Sequence, residues 1–350
     1  MRALRLTAWG EPPTQTEVER PDPQGAEVLV RVEATGLCHS DLHVIDAAPG
    51  ALPYRLPFTL GHEVAGRIAA LGPDADADAD GVAVGDRVVL YGPWGCGACD
   101  RCAAGRDNYC DRRSSLAWHG AGLGRDGGMA AYVLVPSARH LVPIGDLPAD
   151  QAAPLSDAGL TSYHALAGLR HALGEGTTTA VIGVGGLGHL AVQILRATTP
   201  SRVLAVDVRE EALALADRSG ADFGSLMGAD TAGVLRKRSG GAGADAVLDF
   251  VGTTETLELA TGILRPGGEL AVVGSGGGRL TVSKPGVLPP GFRLSLPFWG
   301  SRPELVEVVA LARSGAIHVE TEQFPLSAAP EAIDRLRRGL MRGRAVLVPG

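Results

Sequence analysis

Two periodicities divide the chain. Through residues 1–157 the apolar positions fall in short runs rich in β-branched residues, at 28–32, 64–70, 87–90 and 129–136. Turn signals such as Asp22-Pro23, Ala48-Pro49-Gly50 and Gly92-Pro93 punctuate them. Runs of this length bounded by Gly and Pro predict strands, and no helical period lasts, so a mostly β domain is expected here. From residue 161 the pattern changes. A helical stretch over 161–173, weakened by Gly168, precedes the buried-strand run Thr177-Thr178-Thr179-Ala180-Val181-Ile182. Helix from about 189 to 198, strand 202–206, helix 210–219, strand 246–250, helix 255–264 and strand 269–273 then alternate. Such alternation predicts a parallel sheet with helices on both faces. One more strand is expected over 292–298 and one more helix over 304–313. The tail 316–350 returns to strand, helix and strand and is assigned to the first domain. The expectation is therefore one domain from 1–157 and 299–350, with a second, 158–298, inserted into it.

Composition sharpens this only in places. At 350 residues the chain exceeds the usual size of one core, in keeping with two domains. Against 39 acidic residues stand 32 basic ones, leaving a net charge of -7 with scattered arginines, which argues against a nucleic-acid partner. No segment reaches the 18 or more apolar residues of a membrane span, and the N-terminus lacks an export signal. The five cysteines are too few for a disulfide scaffold. Their spacing points to metal-bound thiolates in a reducing compartment, so a cytoplasmic protein is expected. The aspartate and alanine alternation over 74–80 is expected to be a surface loop.

Four of the cysteines, Cys96, Cys99, Cys102 and Cys110, are separated by two, two and seven residues in a loop rich in Gly, Asp and Asn. Four thiolates can close a tetrahedron about zinc and leave no position for a substrate, which makes the site structural. The fifth, Cys38, stands just past the apolar stretch 28–34, and Gly61-His62-Glu63 leads into another strand pattern. A sulfur and an imidazole at two strand ends suit an open zinc site, which still needs a third ligand. Asp157 is the candidate, although taken alone it reads as an N-terminal helix cap. Glu63 is either a resting fourth ligand or an orienting salt bridge. Ser40 can begin a proton relay that His39 or His43 carries outward.

Gly183, Gly185, Gly186, Leu187 and Gly188 form a turn between a strand and a helix, and Asp207 ends the next strand. That context fits a dinucleotide: glycines for the turn, a helix N-terminus for the pyrophosphate and a carboxylate for the ribose hydroxyls. NAD is preferred over NADP, with Arg209 close enough to soften the preference. Val251 and Gly274 mark two later strand ends where ribose and nicotinamide could lie; the alternative is that they are turns and nothing more.

Together these motifs resemble the medium-chain, zinc-dependent alcohol dehydrogenase family over nearly the whole chain. Gly36-Leu37-Cys38-His39-Ser40-Asp41 resembles its first-ligand and proton-relay segment, and Gly61-His62-Glu63 its second. The resemblance implies an α/β fold: a mostly β GroES-like catalytic domain with an inserted, doubly wound Rossmann domain. It also implies NAD, one catalytic and one structural zinc, and Asp157 as the third ligand where many relatives carry cysteine. Tyr91-Gly92-Pro93-Trp94-Gly95-Cys96 and residues 154–161 look most like bacterial NAD-dependent secondary alcohol dehydrogenases. The expected substrate is a small, moderately hydrophobic alcohol or ketone, walled by Tyr54, Leu116, Trp118, Phe298 and Trp299, in a homodimer or homotetramer to which residues 292–298 contribute. The alternatives are a primary-alcohol dehydrogenase or aldehyde reductase and, remotely, a non-enzymatic zinc and NAD sensor.

Overall fold

In the computed structural model residues 1–75 and 81–350 are described, so Asp76, Asp78 and Asp80 of the expected surface loop lie outside the described residues. The chain divides into two units. The first comprises Met1–Leu160, Gly300–Arg313 and Val319–Gly350, the second Thr161–Trp299 and Ser314–His318.

The first unit is built around the strand Val28–Leu37, which pairs antiparallel with Glu63–Leu71, Tyr132–Val135 and Arg344–Val348. Its sequence, VLVRVEATGL, is β-branched in its first half and buried everywhere except at Arg31 and Glu33. Val28, Val30 and Val32 pack with Val64, Ile68 and Val88 in the core of the sheet. Burying one such side chain contributes about 1.5–3 kcal/mol. Two register shifts against Glu63–Leu71, between Leu29 and Val30 and between Val32 and Ala34, mark bulges that bend the strand. Gly36 pairs with Glu63, and Leu37 with Ala345. The end of the central strand and the starts of its two neighbours are thereby side by side. A Cβ on Gly36 would overlap the Glu63 carboxylate, so glycine at this position makes room for that side chain. A helix, His39–Ile45, follows at once. The strand patterns of this region hid it, because seven residues are too few to display a period.

The second unit holds a six-stranded parallel sheet in the order Phe223–Leu226, Arg202–Asp207, Thr178–Ile182, Ala244–Asp249, Leu264–Val272, Arg293–Ser295. Counted along the chain this is 3-2-1-4-5-6, the doubly wound order whose switch point lies between its first and fourth strands. The expected helix over 161–173 begins earlier, as Ala158–Leu169, and ends in the tight turn Arg170–Ala172. The expected strand over 292–298 is reduced to Arg293–Ser295, an edge with all three residues exposed. Phe223–Leu226 and the helix Thr231–Arg238 had no clear sequence pattern. Among the described residues no helix is long and apolar enough to cross a membrane.

Candidate active site and cofactor cradle

Cys38 closes the central strand and caps His39–Ile45, His62 precedes Glu63–Leu71, and Asp157 ends the turn Ala153–Ser156. Folding brings one ligand atom from each within 4.8 Å of the others. Cys38 Sγ lies 3.3 Å from Asp157 Oδ2, and His62 Nε2 lies 3.6 Å from the same oxygen. Cys38 and His62 are buried and Asp157 is half-buried. Sulfur, nitrogen and oxygen donors converging at this spacing fit zinc, with three protein ligands and one corner left for a substrate oxygen.

Two residues that the sequence did not single out hold this trio. Asp41 is fully buried; its Oδ2 accepts the Cys38 N–H at 2.9 Å and its Oδ1 lies 3.1 Å from His62 Nδ1. With Nδ1 engaged, Nε2 is the nitrogen offered to a metal. The only sequence signal for Asp41 was its place three residues after Cys38, the position of a capping box. Arg344, which opens the last strand, donates from Nε to Glu63 Oε2 at 2.9 Å, from Nη2 to Glu63 Oε1, and from Nη2 to Asp157 Oδ2 at 3.2 Å. Glu63 Oε1 also accepts the Ala158 N–H at 3.1 Å. Nothing local in the sequence pointed to Arg344.

Charge at this cluster is tightly balanced. Burial works to lower the His62 pKa, but the carboxylates of Asp41 and Asp157 outweigh it and raise it well above the ordinary value. Burial likewise works to strip the proton from Arg344, and Cys38, Glu63 and Asp157 more than compensate. For Glu63, burial pushes the carboxyl up while Arg344 pulls it down. His39, Ser40 and His43 are exposed on the short helix, with Ser40 Oγ 3.6 Å from Cys38 Sγ.

The four-cysteine lobe is self-contained. Cys96, Cys99, Cys102 and Cys110 bring their sulfurs within 4.8 Å of one another, fitting a closed tetrahedral zinc site. Local backbone stabilises thiolates there: Cys110 Sγ accepts the N–H of Cys96 at 3.3 Å and of Arg112 at 3.4 Å, and the Ala98 amide helps pull the Cys96 thiol down to about 6. Buried Asp107 accepts the Gly95 N–H at 3.0 Å and two bonds from Arg139 at 2.7 and 3.2 Å, anchoring the lobe to the sheet.

In the second unit Thr178–Ile182 runs into Gly183, which has φ +85°, and on through Gly185, Gly186 and Leu187 into the helix Gly188–Thr198. A Cβ on Gly188 would overlap the Gly183 carbonyl, whereas one on Gly185 would meet nothing within 4 Å, leaving open space for a pyrophosphate. The Leu187 carbonyl accepts the Ser162 hydroxyl at 3.0 Å. Asp207 Oδ2 accepts the Val184 N–H at 2.8 Å and Oδ1 accepts the Arg209 N–H at 3.0 Å, with Arg209 Nε 3.6 Å away. Val251 and Gly274 follow the ends of the two neighbouring strands. This cradle fits a dinucleotide.

The aromatic candidates are distributed over both units. Tyr54 donates or accepts at His119 Nδ1, 3.0 Å away, and its ring meets Phe58 edge to face. Leu116 is half-buried, and Trp118 packs on the core at Trp94 with Arg125 over its ring. Phe298 and Trp299 stack edge to face at 6.2 Å; Trp299 is buried and holds φ 54°, unusual for a residue with a side chain.

Comparison with known proteins extends the picture. The family model for the alcohol dehydrogenase GroES-like domain matches residues 24–146, and that for zinc-binding dehydrogenase matches residues 186–314. The chain is 36% identical to an NAD-dependent alcohol dehydrogenase of Sulfurisphaera tokodaii, covering 100% of both chains. It is 33% identical to a D-arabinose 1-dehydrogenase (NADP(+)) of Saccharolobus solfataricus, covering 99% of this chain and 97% of that one. The crystal structure of an alcohol dehydrogenase from Aeropyrum pernix superposes with a TM-score of 0.91 at 35% identity, with 100% of both chains covered. All three come from archaea, whereas the motifs around Trp94 and Asp157 had suggested a likeness to bacterial enzymes; the comparisons support the family and not that bacterial branch.

Proposed function

The chain belongs to the medium-chain, zinc-dependent alcohol dehydrogenase family, and from that premise we propose that it oxidises secondary alcohols to ketones by reversible hydride transfer to NAD. The observation that carries the chemistry is the convergence of Cys38, His62 and Asp157 beside an exposed hydroxyl. When bound, zinc supplies Lewis-acid polarisation of the substrate oxygen and NAD supplies a hydride acceptor.

The residues divide the remaining work. Cys38 Sγ, His62 Nε2 and Asp157 Oδ2 would hold the metal, while Asp41 fixes the imidazole orientation and, through the Cys38 N–H, the approach of the sulfur. Glu63 stands behind the ligands, its oxygens occupied by Arg344, in the role of an orienting salt bridge. Ser40 Oγ would relay the proton released by the alcohol, taking it up as its own hydroxyl proton moves on to His39 or His43, which are exposed on the same helix and pass it to solvent. Gly183, Gly185, Gly186, Leu187, Gly188, Val251 and Gly274 cradle the dinucleotide, and Asp207 reads its ribose. Asp207→Gly should erode discrimination against NADP, freeing Arg209 to meet a 2′-phosphate; the ratio of kcat/KM for the two cofactors measures it.

Tyr54, close enough to His62 to feel its charge, Leu116, Trp118, Phe298 and Trp299 are proposed as apolar walls. A second reading, a sugar hemiacetal as donor, is favoured by the similarity to the protein named D-arabinose 1-dehydrogenase. The edge strand Arg293–Ser295, with Leu294, Leu296 and Phe298 exposed, supports self-association as a dimer or tetramer. Five unpaired thiols suit a reducing compartment such as the cytoplasm. The deciding experiment is NAD-linked oxidation of matched primary alcohols, secondary alcohols in both enantiomers, and aldoses. Higher kcat/KM on a secondary alcohol is expected; a clear preference for either other class would replace this substrate reading.

A further inference from the structure

Three turns at the ends of adjacent parallel strands meet around one residue. Asp249 closes the strand Ala244–Asp249 and is fully buried, with no ion pair among the described residues. Its carboxylate is saturated by neutral donors. Oδ1 accepts the N–H groups of Val251 and Gly252, each at 2.9 Å, and Oδ2 accepts the Thr256 hydroxyl at 2.8 Å. Its main-chain carbonyl accepts two more bonds, from the N–H of Val273 at 2.8 Å and of Gly274 at 3.0 Å. The carboxylate thus holds the turn after its own strand, and the main chain of the same residue meets the turn after the neighbouring strand Leu264–Val272.

Those turns fit together without slack. A Cβ on Gly183 would meet Val251 Cγ2 at 2.6 Å, one on Gly276 would meet the Val251 carbonyl oxygen at 2.7 Å, and one on Gly274 would overlap the Val251 backbone. The N–H of Gly276 closes on the Val251 carbonyl at 2.9 Å, and that of Gly278 on the Gly252 carbonyl at 2.8 Å. Val251 is therefore the piece wedged between the 183–188 turn and the 273–278 turn, and Asp249 is what holds it. A simple helix-capping role accounts for the bond to Thr256. It does not account for the two backbone N–H groups, of Val251 and Gly252, that the same carboxylate gathers at the switch-point end of the sheet, where a dinucleotide lies; the bonds from Val273 and Gly274 go to the main-chain carbonyl, so the side chain reaches the second turn through Val251.

We propose that Asp249 is a positioning residue for the nicotinamide half of NAD, fixing the Val251 and Gly274 turns against which the nicotinamide riboside rests. Asp207 acts on the adenosine half, on the opposite side of the strand Thr178–Ile182 in the sheet order. The two halves of the cofactor are therefore separable by mutation. This inference rests on the NAD reading of the cradle.

The test is titration of the zinc-loaded full chain with NADH and, separately, with AMP, which carries only the adenosine end. Asp249→Ala removes the carboxylate acceptors. Asp249→Asn keeps an oxygen for the two amides and offers an NH2 group to the Thr256 oxygen. Gly274→Ala forces the two turns apart without touching the carboxylate. Asp249→Ala and Gly274→Ala are expected to weaken NADH by about tenfold or more and AMP by less than about twofold, with Asp249→Asn restoring most of the NADH affinity. Equal loss of NADH and AMP in both variants, or unchanged NADH affinity in both, overturns the proposal. Should Asp249→Ala fail to fold, Asp249→Leu, which fills the same space without an acceptor, decides by the same two ligands. Failure of the unmodified chain to bind NADH would overturn the NAD reading instead, and the two failures appear in different proteins.

Discussion

The first unit carries two clusters of metal-ligand type, and they are built in opposite ways. The four-cysteine lobe draws every donor from residues 96–110 and steadies its sulfurs with amides from the same loop. The trio of Cys38, His62 and Asp157 is assembled by the sheet: Cys38 and Asp157 are 119 residues apart, and the arginine behind them is another 187 residues from Asp157. The lobe has four like donors and is closed. The trio has three unlike donors and a free corner, so it depends on neighbours to fix its geometry. A closed site can be self-sufficient, whereas an open one has to borrow its rigidity from the fold.

That contrast can be broken in four ways, from the largest expected effect to the smallest. Cys102→Ser should empty the lobe and leave the trio filled, halving the zinc measured per chain. The loop buries little apolar surface, so its folding depends on the metal, and a loss of several kcal/mol in denaturant stability is expected. Retention of full stability would show that the lobe folds without zinc. Arg344→Met should cost about 3–5 kcal/mol, because it leaves the buried carboxylate of Glu63 and the half-buried one of Asp157 without their shared cation. Urea titration of the zinc-loaded protein measures it, and a loss under 1 kcal/mol would mean that water or zinc compensates both charges. Asp157→Ala should lower turnover by about 100-fold or more, some 2.7 kcal/mol in barrier, and reduce zinc at the trio while the lobe stays filled. Unaltered metal content and turnover would remove Asp157 from the ligand set.

The smallest effect at neutral pH, which grows only as acid is added, lies at the base of the lobe. His140 packs on Trp94 at 5.6 Å and is fully enclosed; burial, reinforced by Arg139, pushes its pKa down to about 3 from the ordinary 6.5. The unfolded chain therefore takes up this proton first. Stability from His140 is complete above pH 6.5 and is lost as pH falls toward about 3, at no more than about 1.4 kcal/mol per unit. His140→Leu should flatten the acid side of the Tm profile relative to the parent. Parallel profiles would show that His140 finds a hydrogen-bond partner when it is charged.

How much of this was legible follows the same division. The lobe could be read from spacing alone, and the dinucleotide cradle from a glycine turn placed between a strand pattern and a helix pattern. Cys38 and His62 were legible as unusual donors at strand ends, and Asp157 became a ligand only through the family resemblance. Asp41, Arg344 and Asp107 with Arg139 were not legible. Each acts through a partner brought close by sheet register, and no local pattern encodes register between segments so far apart. Val251 and Gly274 were visible just past strand ends, but the carboxylate of Asp249 that fixes Val251 was not. The helix His39–Ile45 was missed for want of length, and Arg293–Ser295 was overestimated because an apolar edge strand and a longer buried one look alike in sequence.

The hole at Gly36 couples two positions into one unit of inheritance. A methyl group there would evict the carboxylate that reaches across to Arg344, so a tolerated change at 36 calls for a smaller side chain at 63, and restoring glutamate at 63 calls for glycine at 36 again. Saturation mutagenesis under selection for turnover should find position 36 intolerant of single exchange and permissive only when position 63 changes with it.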